Sequence, residues 1–328
     1  MKWTLGRYLI WGAVILLGGA GLWAPGAAWG AKRALLVGVG DYAHLPAILS
    51  NGQEAKKLAG PSRDLRKMQE VLQGYDFAPG DILVLTDQQA TRDGVVEALT
   101  RWLIQGTQPG DTAVFYFSGH GVQVPDRDGD EVDGLDEGFA LYDFSPKTLT
   151  GILIDDDFAK LISRLEGRHV AVIADCCYAA GAFRHIGPRV VTFLEPTWTR
   201  RSRYIPFQWP QNVPRERNLH QARSSLDLPQ EVVFWAAARE NQEAVEDFFG
   251  DGVYGLFTRF LVQVLEHGQG FPYRTLHDHL RQRLLNTGAA QVPILLAEER
   301  VKELPVLNKP RPSSPPAPTT APPVRFFK

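Results

Sequence analysis

Short continuous apolar runs, alternating along the chain with segments of helical periodicity, narrow its folding options more than any other feature. Residues 32–39 (KRALLVGV) form an unbroken apolar run of the kind a strand buried on both faces requires. Pro61 then precedes Leu65, Met68 and Leu72 at helical spacing. The next strand is expected at 81–86 (DILVLT). A helix opened by Thr91 follows, with Val95, Val96, Leu99 and Leu103 on its apolar face. Pro109-Gly110 ends it before a strand at 112–117 (TAVFYF). A helix at 158–165, strands at 169–174 (HVAVIA) and 231–237 (EVVFWAA), and a helix near 256–265 continue the series. Repeated strand–helix units with buried strands predict an α/β fold, a mostly parallel sheet with helices on both faces. Ligands of such folds bind beyond the carboxyl ends of the strands.

Composition matters where it removes alternatives. A net charge of −2 supplies no basic field for a nucleic-acid partner. The two cysteines, Cys176 and Cys177, are adjacent, which excludes both a disulfide framework and a four-cysteine zinc site. At the N-terminus Lys2 and Arg7 precede an uncharged run from Tyr8 to Ala31 that Pro25 interrupts, with small residues Gly26, Ala28 and Gly30 at cleavage-site spacing. Residues 1–30 therefore read as a Sec-type signal peptide, with an uncleaved membrane anchor as the alternative, and imply an exported, periplasmic or secreted protein. Removing them takes away Lys2 and Arg7 and no acid, and carries the net charge from −2 to −4. Residues 303–328 are rich in proline among Ser, Thr and Ala and read as an extended tail, leaving 31–302 as the folded domain. Within it, about 182–229 lacks periodicity and holds eight arginines, among them Arg200, Arg201 and Arg203. Stretches of that length without structure are usually functional or disordered.

Two expected strands run out into reactive residues. One continues into Ser118-Gly119-His120-Gly121, the other into Asp175-Cys176-Cys177. If the strands are neighbours, their ends bring a histidine and a thiol together, from position 120 to 177 a separation of 57 residues. The imidazole can take the thiol proton, and glycines beside His120 leave the Gly121 N–H able to donate to a developing oxyanion. Elsewhere, the acidic run from Asp126 to Glu137 places acids at EF-hand positions but has Glu131 where a glycine is required, so it is not an EF-hand. His277 and His279, two apart on an expected helix, read as surface residues. Gly38-Val39-Gly40 lacks the third glycine of a dinucleotide fingerprint.

These segments resemble the caspase-like cysteine peptidases of clan CD, of the metacaspase and orthocaspase type. The likeness runs through KRALLVGVGDY, LAGPSRDLRKM, LTDQQATRDGV, DTAVFYFSGHGVQVPDRDGDEVDGLDEGFALYD, ILIDDD, VAVIADCCYAAG, GLFT and QVP. The resemblance implies a caspase-like three-layer α/β sandwich and an endopeptidase that cuts after Arg or Lys of protein or peptide substrates. His120 would be the catalytic histidine, Cys177 the nucleophile, and Gly121 and Cys177 the oxyanion donors. Asp64, Ser118 and Asp175 would line the S1 pocket, two carboxylates suiting a guanidinium. No cofactor is required. Calcium is an activator in many relatives, and three of its ligand positions match Asp136, Asp155 and Asp156, while the fourth is Arg184. Tyr178-Ala179-Ala180 stands where relatives carry His-Ser-Gly. The arginine-rich stretch is a candidate for self-cleavage. A monomer, with the N-terminus as membrane tether if retained, is the expected state. A non-catalytic envelope scaffold and a vicinal-thiol redox sensor remain open as alternatives.

Overall fold

A computed structural model describes residues 30–46, 57–127, 134–177, 201–203, 231–239 and 242–308. The strands are β1 (Lys32–Gly38), β2 (Ile82–Thr86), β3 (Thr112–Ser118), β4 (Gly121–Pro125), β5 (Leu135–Ser145), β6 (Thr150–Ile154), β7 (His169–Asp175), β8 (Arg201–Ser202), β9 (Val232–Ala236), β10 (Val245–Phe249), β11 (Gly252–Gly255) and β12 (Ile294–Leu296). The helices are α1 (Pro61–Gly74), α2 (Arg92–Ala98), α3 (Asp155–Ile162), α4 (Leu256–Glu266), α5 (Tyr273–Leu285) and α6 (Glu299–Lys302).

Six strands make the central sheet in the order β12-β9-β7-β3-β1-β2. All neighbours are parallel except the edge pair β9–β12. Period-2 alternation sorts each central strand onto two cores. Along β3, Ala113, Phe115 and Phe117 face α2, α3 and the small β4-β5-β6 sheet, whereas Val114 and Tyr116 face α1, α4 and α5. Both faces are covered, so the strands are apolar throughout, as the sequence pattern requires. The α/β class is thus the observed one, with a helix-and-sheet layer on one side and helices on the other.

Local chemistry sets the boundaries. Pro61 opens α1 at the position where its missing N–H costs nothing. Thr91 caps α2 by accepting from the Gly94 N–H (3.2 Å), and the helix passes directly into a π-helical turn at Leu99–Ile104. At the far end the folded domain extends beyond 302. Val306 and Leu307 are buried, the Leu307 N–H donates to Tyr273 Oη (3.0 Å), and Lys32 Nζ donates to the Leu307 carbonyl (3.0 Å). This apolar pair docks although it sits among prolines, so the tail starts later than composition suggests. The leader reading of 1–30 and the remainder of the tail lie outside the described residues. Among the described residues no helix is long and apolar enough to cross a membrane.

Candidate active site

Strands β1, β3 and β7 run in register, Gly38 beside Ser118 and Ser118 beside Asp175, so their carboxyl ends are level. Two residues past each end of the central pair stand His120 and Cys177. The Gly119 N–H donates to the Asp175 carbonyl (3.4 Å), and Gly121 lies so close to Cys177 that a Cβ there would sit 1.9 Å from the Cys177 carbonyl oxygen. The two strand ends that carry His120 and Cys177 therefore meet backbone to backbone. His120 is buried and pinned at both backbone groups. Its N–H donates to Tyr42 Oη (2.7 Å), its carbonyl accepts from the Ala140 N–H (3.1 Å), and the Tyr42 ring lies 5.1 Å from the imidazole.

The two thiols diverge. Cys176 enters the core shared with α2 and α3, whereas Cys177 faces the other core, beside Ala244. The two side chains thus lie on opposite faces of the sheet, both buried. Cys177 Sγ accepts from the Ala244 N–H (3.1 Å), lies 3.4 Å from the Ala244 carbonyl as a donor, and is 3.9 Å from Ser202 Oγ. Burial pushes its thiol well above the usual range and the Glu243 charge adds to this; the contacts with Ser202 and Ala244 oppose it. These surroundings favour the neutral thiol over the thiolate.

Asp64, Ser118 and Asp175 converge on one group, the guanidinium of Arg203, which is itself fully buried. Asp64 sits in the first turn of α1, but its carboxylate turns away from the helix. Its Oδ2 accepts from Arg203 Nη2 (2.7 Å) and Ser118 Oγ (2.8 Å), and its Oδ1 from the Gly255 N–H (3.0 Å). Asp175 Oδ2 accepts from the Thr258 N–H (3.0 Å) and Oγ1 (2.6 Å), leaving Oδ1 3.3 Å from Arg203 Nη1. Nη1 also donates to Ser118 Oγ (2.9 Å) and to the Asp175 carbonyl (2.9 Å). A third carboxylate, Glu246, stands 4.0 Å from Nη2 and is held by the Gly60 N–H (2.9 Å). Gly60 and Gly255 leave the room: a Cβ at either would fall 2.6 Å from Nη2 or 2.8 Å from the guanidinium carbon. Burial raises the Asp64 pKa to about 6, with Arg203 pulling it down and Asp175 pushing it up. Burial works against the Arg203 charge as well, yet Asp175, Asp64 and Glu246 outweigh it, so the guanidinium stays protonated.

The Arg203 backbone is held too. Its carbonyl accepts from the Gly121 N–H (3.0 Å), and its N–H donates to the Ala244 carbonyl (2.9 Å). Just before it, β8 pairs antiparallel with β10, Ser202 opposite Val245 and Arg201 opposite Glu246. The Arg201 side chain donates to the Lys57 carbonyl (2.7 Å) and approaches Glu246 (3.9 Å).

Sequence reasoning had not singled out Tyr42, Arg203, Ala244, Glu246, Gly255 or Thr258. Three of these were visible as fragments, Tyr42 closing KRALLVGVGDY and Gly255 and Thr258 opening and closing GLFT. His277 is a correction. It is partly buried, accepts from Trp235 Nε1 (3.1 Å), and burial lowers its pKa to about 4. Helical phase alone hid this, because the apolar neighbour that covers it comes from β9. The acidic run joins β4 to β5, an antiparallel pair, and so lies in a hairpin, with 128–133 outside the described residues. Asp136 is on β5, and Asp155 and Asp156 open α3 after the paired strand β6. Among the described residues no group of three or more acids, histidines or cysteines is gathered to hold an ion. Arg184, like most of 182–229, lies outside the described residues.

Residues 31–305 match the caspase domain family, Peptidase_C14. Metacaspase-1 of Pyricularia oryzae is 35% identical over 162 residues, 47% of this chain and 37% of that protein. Metacaspase-1 of Cryptococcus neoformans is 36% identical over 162 residues, 47% of this chain and 32% of that protein. The matched segment thus spans about a third of these relatives' length. In fold, the crystal structure of protein GSU0716 from Geobacter sulfurreducens is similar, at a TM-score of 0.57 and 22% identity over 86% of this chain and 100% of that one. With a histidine and a cysteine at adjoining strand ends and a family match over most of its length, the chain belongs to the caspase domain family, peptidase C14.

Proposed function

We propose that the protein is a cysteine endopeptidase of metacaspase type that cleaves peptide bonds after arginine or lysine. The observation that carries this reading is the buried Arg203 guanidinium, gripped by Asp64, Ser118 and Asp175 while the Arg203 carbonyl lies on the Gly121 N–H. A pocket with three carboxylates around one cation would repel a P1 aspartate and desolvate a P1 arginine only with full compensation.

In a substrate complex the same contacts would hold a P1 side chain. Cys177 Sγ adds to the scissile carbonyl carbon as its proton passes to His120, and the oxygen's charge is met by the Gly121 N–H. His120 then protonates the leaving amine, and water releases the acyl group from sulfur. Because burial disfavours the thiolate, proton transfer accompanies attack. The leader makes this an exported enzyme, and a calcium arm in the assay addresses the Asp136, Asp155 and Asp156 reading.

Purified protein is assayed with peptide amides ending in Arg, Lys or Asp, with and without calcium. The Arg and Lys amides are turned over and the Asp amide is not. Cys177→Ala loses about a thousandfold or more, whereas Cys176→Ala retains turnover. Absence of hydrolysis after any basic residue sinks the proposal, and equal loss in both variants removes Cys177 as nucleophile.

A further inference from the structure

Asp175 ends β7 with its two carboxylate oxygens in unequal surroundings. Oδ2 accepts from both the N–H and the hydroxyl of Thr258, at 3.0 and 2.6 Å. The buried Oδ1 has no hydrogen bond among the described residues and faces Arg203 Nη1 at 3.3 Å. One oxygen anchors the carboxylate and the other is presented to a cation. Thr258 is the third residue of α4, so its N–H has no acceptor within the helix and reaches Asp175 instead. Its hydroxyl has a second contact, Tyr116 Oη on β3 at 2.6 Å, and Tyr116, Thr258 and Asp175 are all fully buried.

Proton counting gives this chain a direction. A carboxylate only accepts, so the single Thr258 hydroxyl proton goes to Asp175, and the Tyr116 proton fills a lone pair of Thr258 Oγ1. Burial and the charges of Asp64 and Asp175 push the Tyr116 pKa well above its ordinary value, so that proton stays on the phenol. Two donors on one oxygen fix the carboxylate's plane as well as its place, since turning the group would break both bonds. Such fixed orientation matters unequally for the two basic side chains. A guanidinium is planar and meets an acceptor only in set directions, whereas an ammonium is a compact charge with rotatable donors.

Resting on the peptidase reading above, we propose that Tyr116 and Thr258 are positioning residues for specificity: through Asp175 Oδ2 they aim Oδ1 at a P1 guanidinium, and so make the enzyme prefer arginine to lysine. Neither residue touches substrate in this role, and the same two hydrogen bonds serve every turnover.

Kinetics of the full chain with matched arginine and lysine peptide amides test this. In Thr258→Val, KM for the arginine amide rises about tenfold or more, the scale of one hydrogen bond to a charged group. Its kcat is little changed, because the P1 contact is made alike in the ground and transition states. KM for the lysine amide rises less, so the ratio of kcat/KM for arginine over lysine falls. Thr258→Ser keeps the hydroxyl and restores both values. Tyr116→Phe shifts KM and the ratio in the same direction by about threefold. Since Thr258→Val leaves the Tyr116 hydroxyl buried without its acceptor, the double variant Tyr116→Phe/Thr258→Val is made beside it. With both groups apolar the fold is kept, and the loss of arginine preference persists. A wild type that favours neither amide, equal losses for the two amides, no rescue by serine, or an unchanged ratio in the double variant overturns the positioning role and leaves the peptidase reading standing. If wild type hydrolyses neither amide, both fall.

Discussion

Asp64 is a carboxylate asked to hold a cation out of water, and its environment makes that task depend on pH. Burial raises its pKa to about 6 even with Arg203 present to stabilise the charge. Without a guanidinium the opposing influence is gone and the shift upward is larger. Acidification through pH 6 therefore neutralises Asp64 before the substrate arrives. For an arginine amide, KM is expected to rise as pH falls from 8 to 5. In Asp64→Asn that dependence flattens and kcat/KM drops about 100-fold or more, the scale of breaking a buried charge pair. A wild-type KM that holds steady across this range would remove Asp64 from the pocket's charge balance. Tyr42 works differently, as a positioning residue. Its hydroxyl fixes the His120 backbone and its ring packs on the imidazole, so it sets where the base stands without touching a substrate.

At the scale of elements, the decisive geometry is two neighbouring strands ending level. Position 121 shows how tight that geometry is, because the two backbones meet with no allowance for a side chain. Gly121→Ala would drive a Cβ into the Cys177 carbonyl, forcing the two loops apart. A displacement near 1 Å at a reacting centre costs about 100-fold, so kcat/KM should fall at least that far while far-UV circular dichroism stays native. Unchanged turnover would contradict the close approach. The same scale separates what the sequence made legible from what it did not. Buried parallel strands announce themselves as apolar runs, and a histidine and a cysteine just past two such runs point to one site. Arg203 had no comparable signal. It looks like Arg200 or Arg201, and only its backbone bond to Ala244, some forty residues onward, and the carboxylates gathered around its guanidinium distinguish it. Glu246 was hidden for the same reason, being one acid of a short hairpin whose role depends on what lies across from it. The π-helical turn after α2 likewise preserves an apolar face that reads from sequence as one continuous helix.

For the whole molecule, acid sensitivity follows from histidines enclosed as neutral groups. His277 accepts from Trp235 and titrates at about 4, and burial also lowers the pKa of His169, which hydrogen-bonds Tyr273. Below pH 6.5 the unfolded chain takes up protons that folded His277 refuses until about pH 4, so its contribution to stability declines across that window as pH falls. Asp64 has the opposite sign between 3.8 and about 6, because there the folded state binds the extra proton. Comparing Tm against pH for wild type and His277→Gln isolates the histidine: the variant's Tm should fall less steeply from pH 6.5 to 4, by roughly 2–4 °C for each kcal/mol of linkage. Parallel curves would mean that His277 titrates alike in both states.

The pairing of β8 with β10 has a colloidal side. β10 is bonded to β11 along one edge and to β8 along the other, and it carries the exposed Phe248, 69% open to solvent. While the chain is whole, that second edge is closed from within. Were β8 unpaired, a row of backbone donors and acceptors on β10 would lie bare beside an aromatic ring, the arrangement that invites edge-to-edge association. A substitution that weakens the β8–β10 pairing is thus expected to make the protein stickier at high concentration.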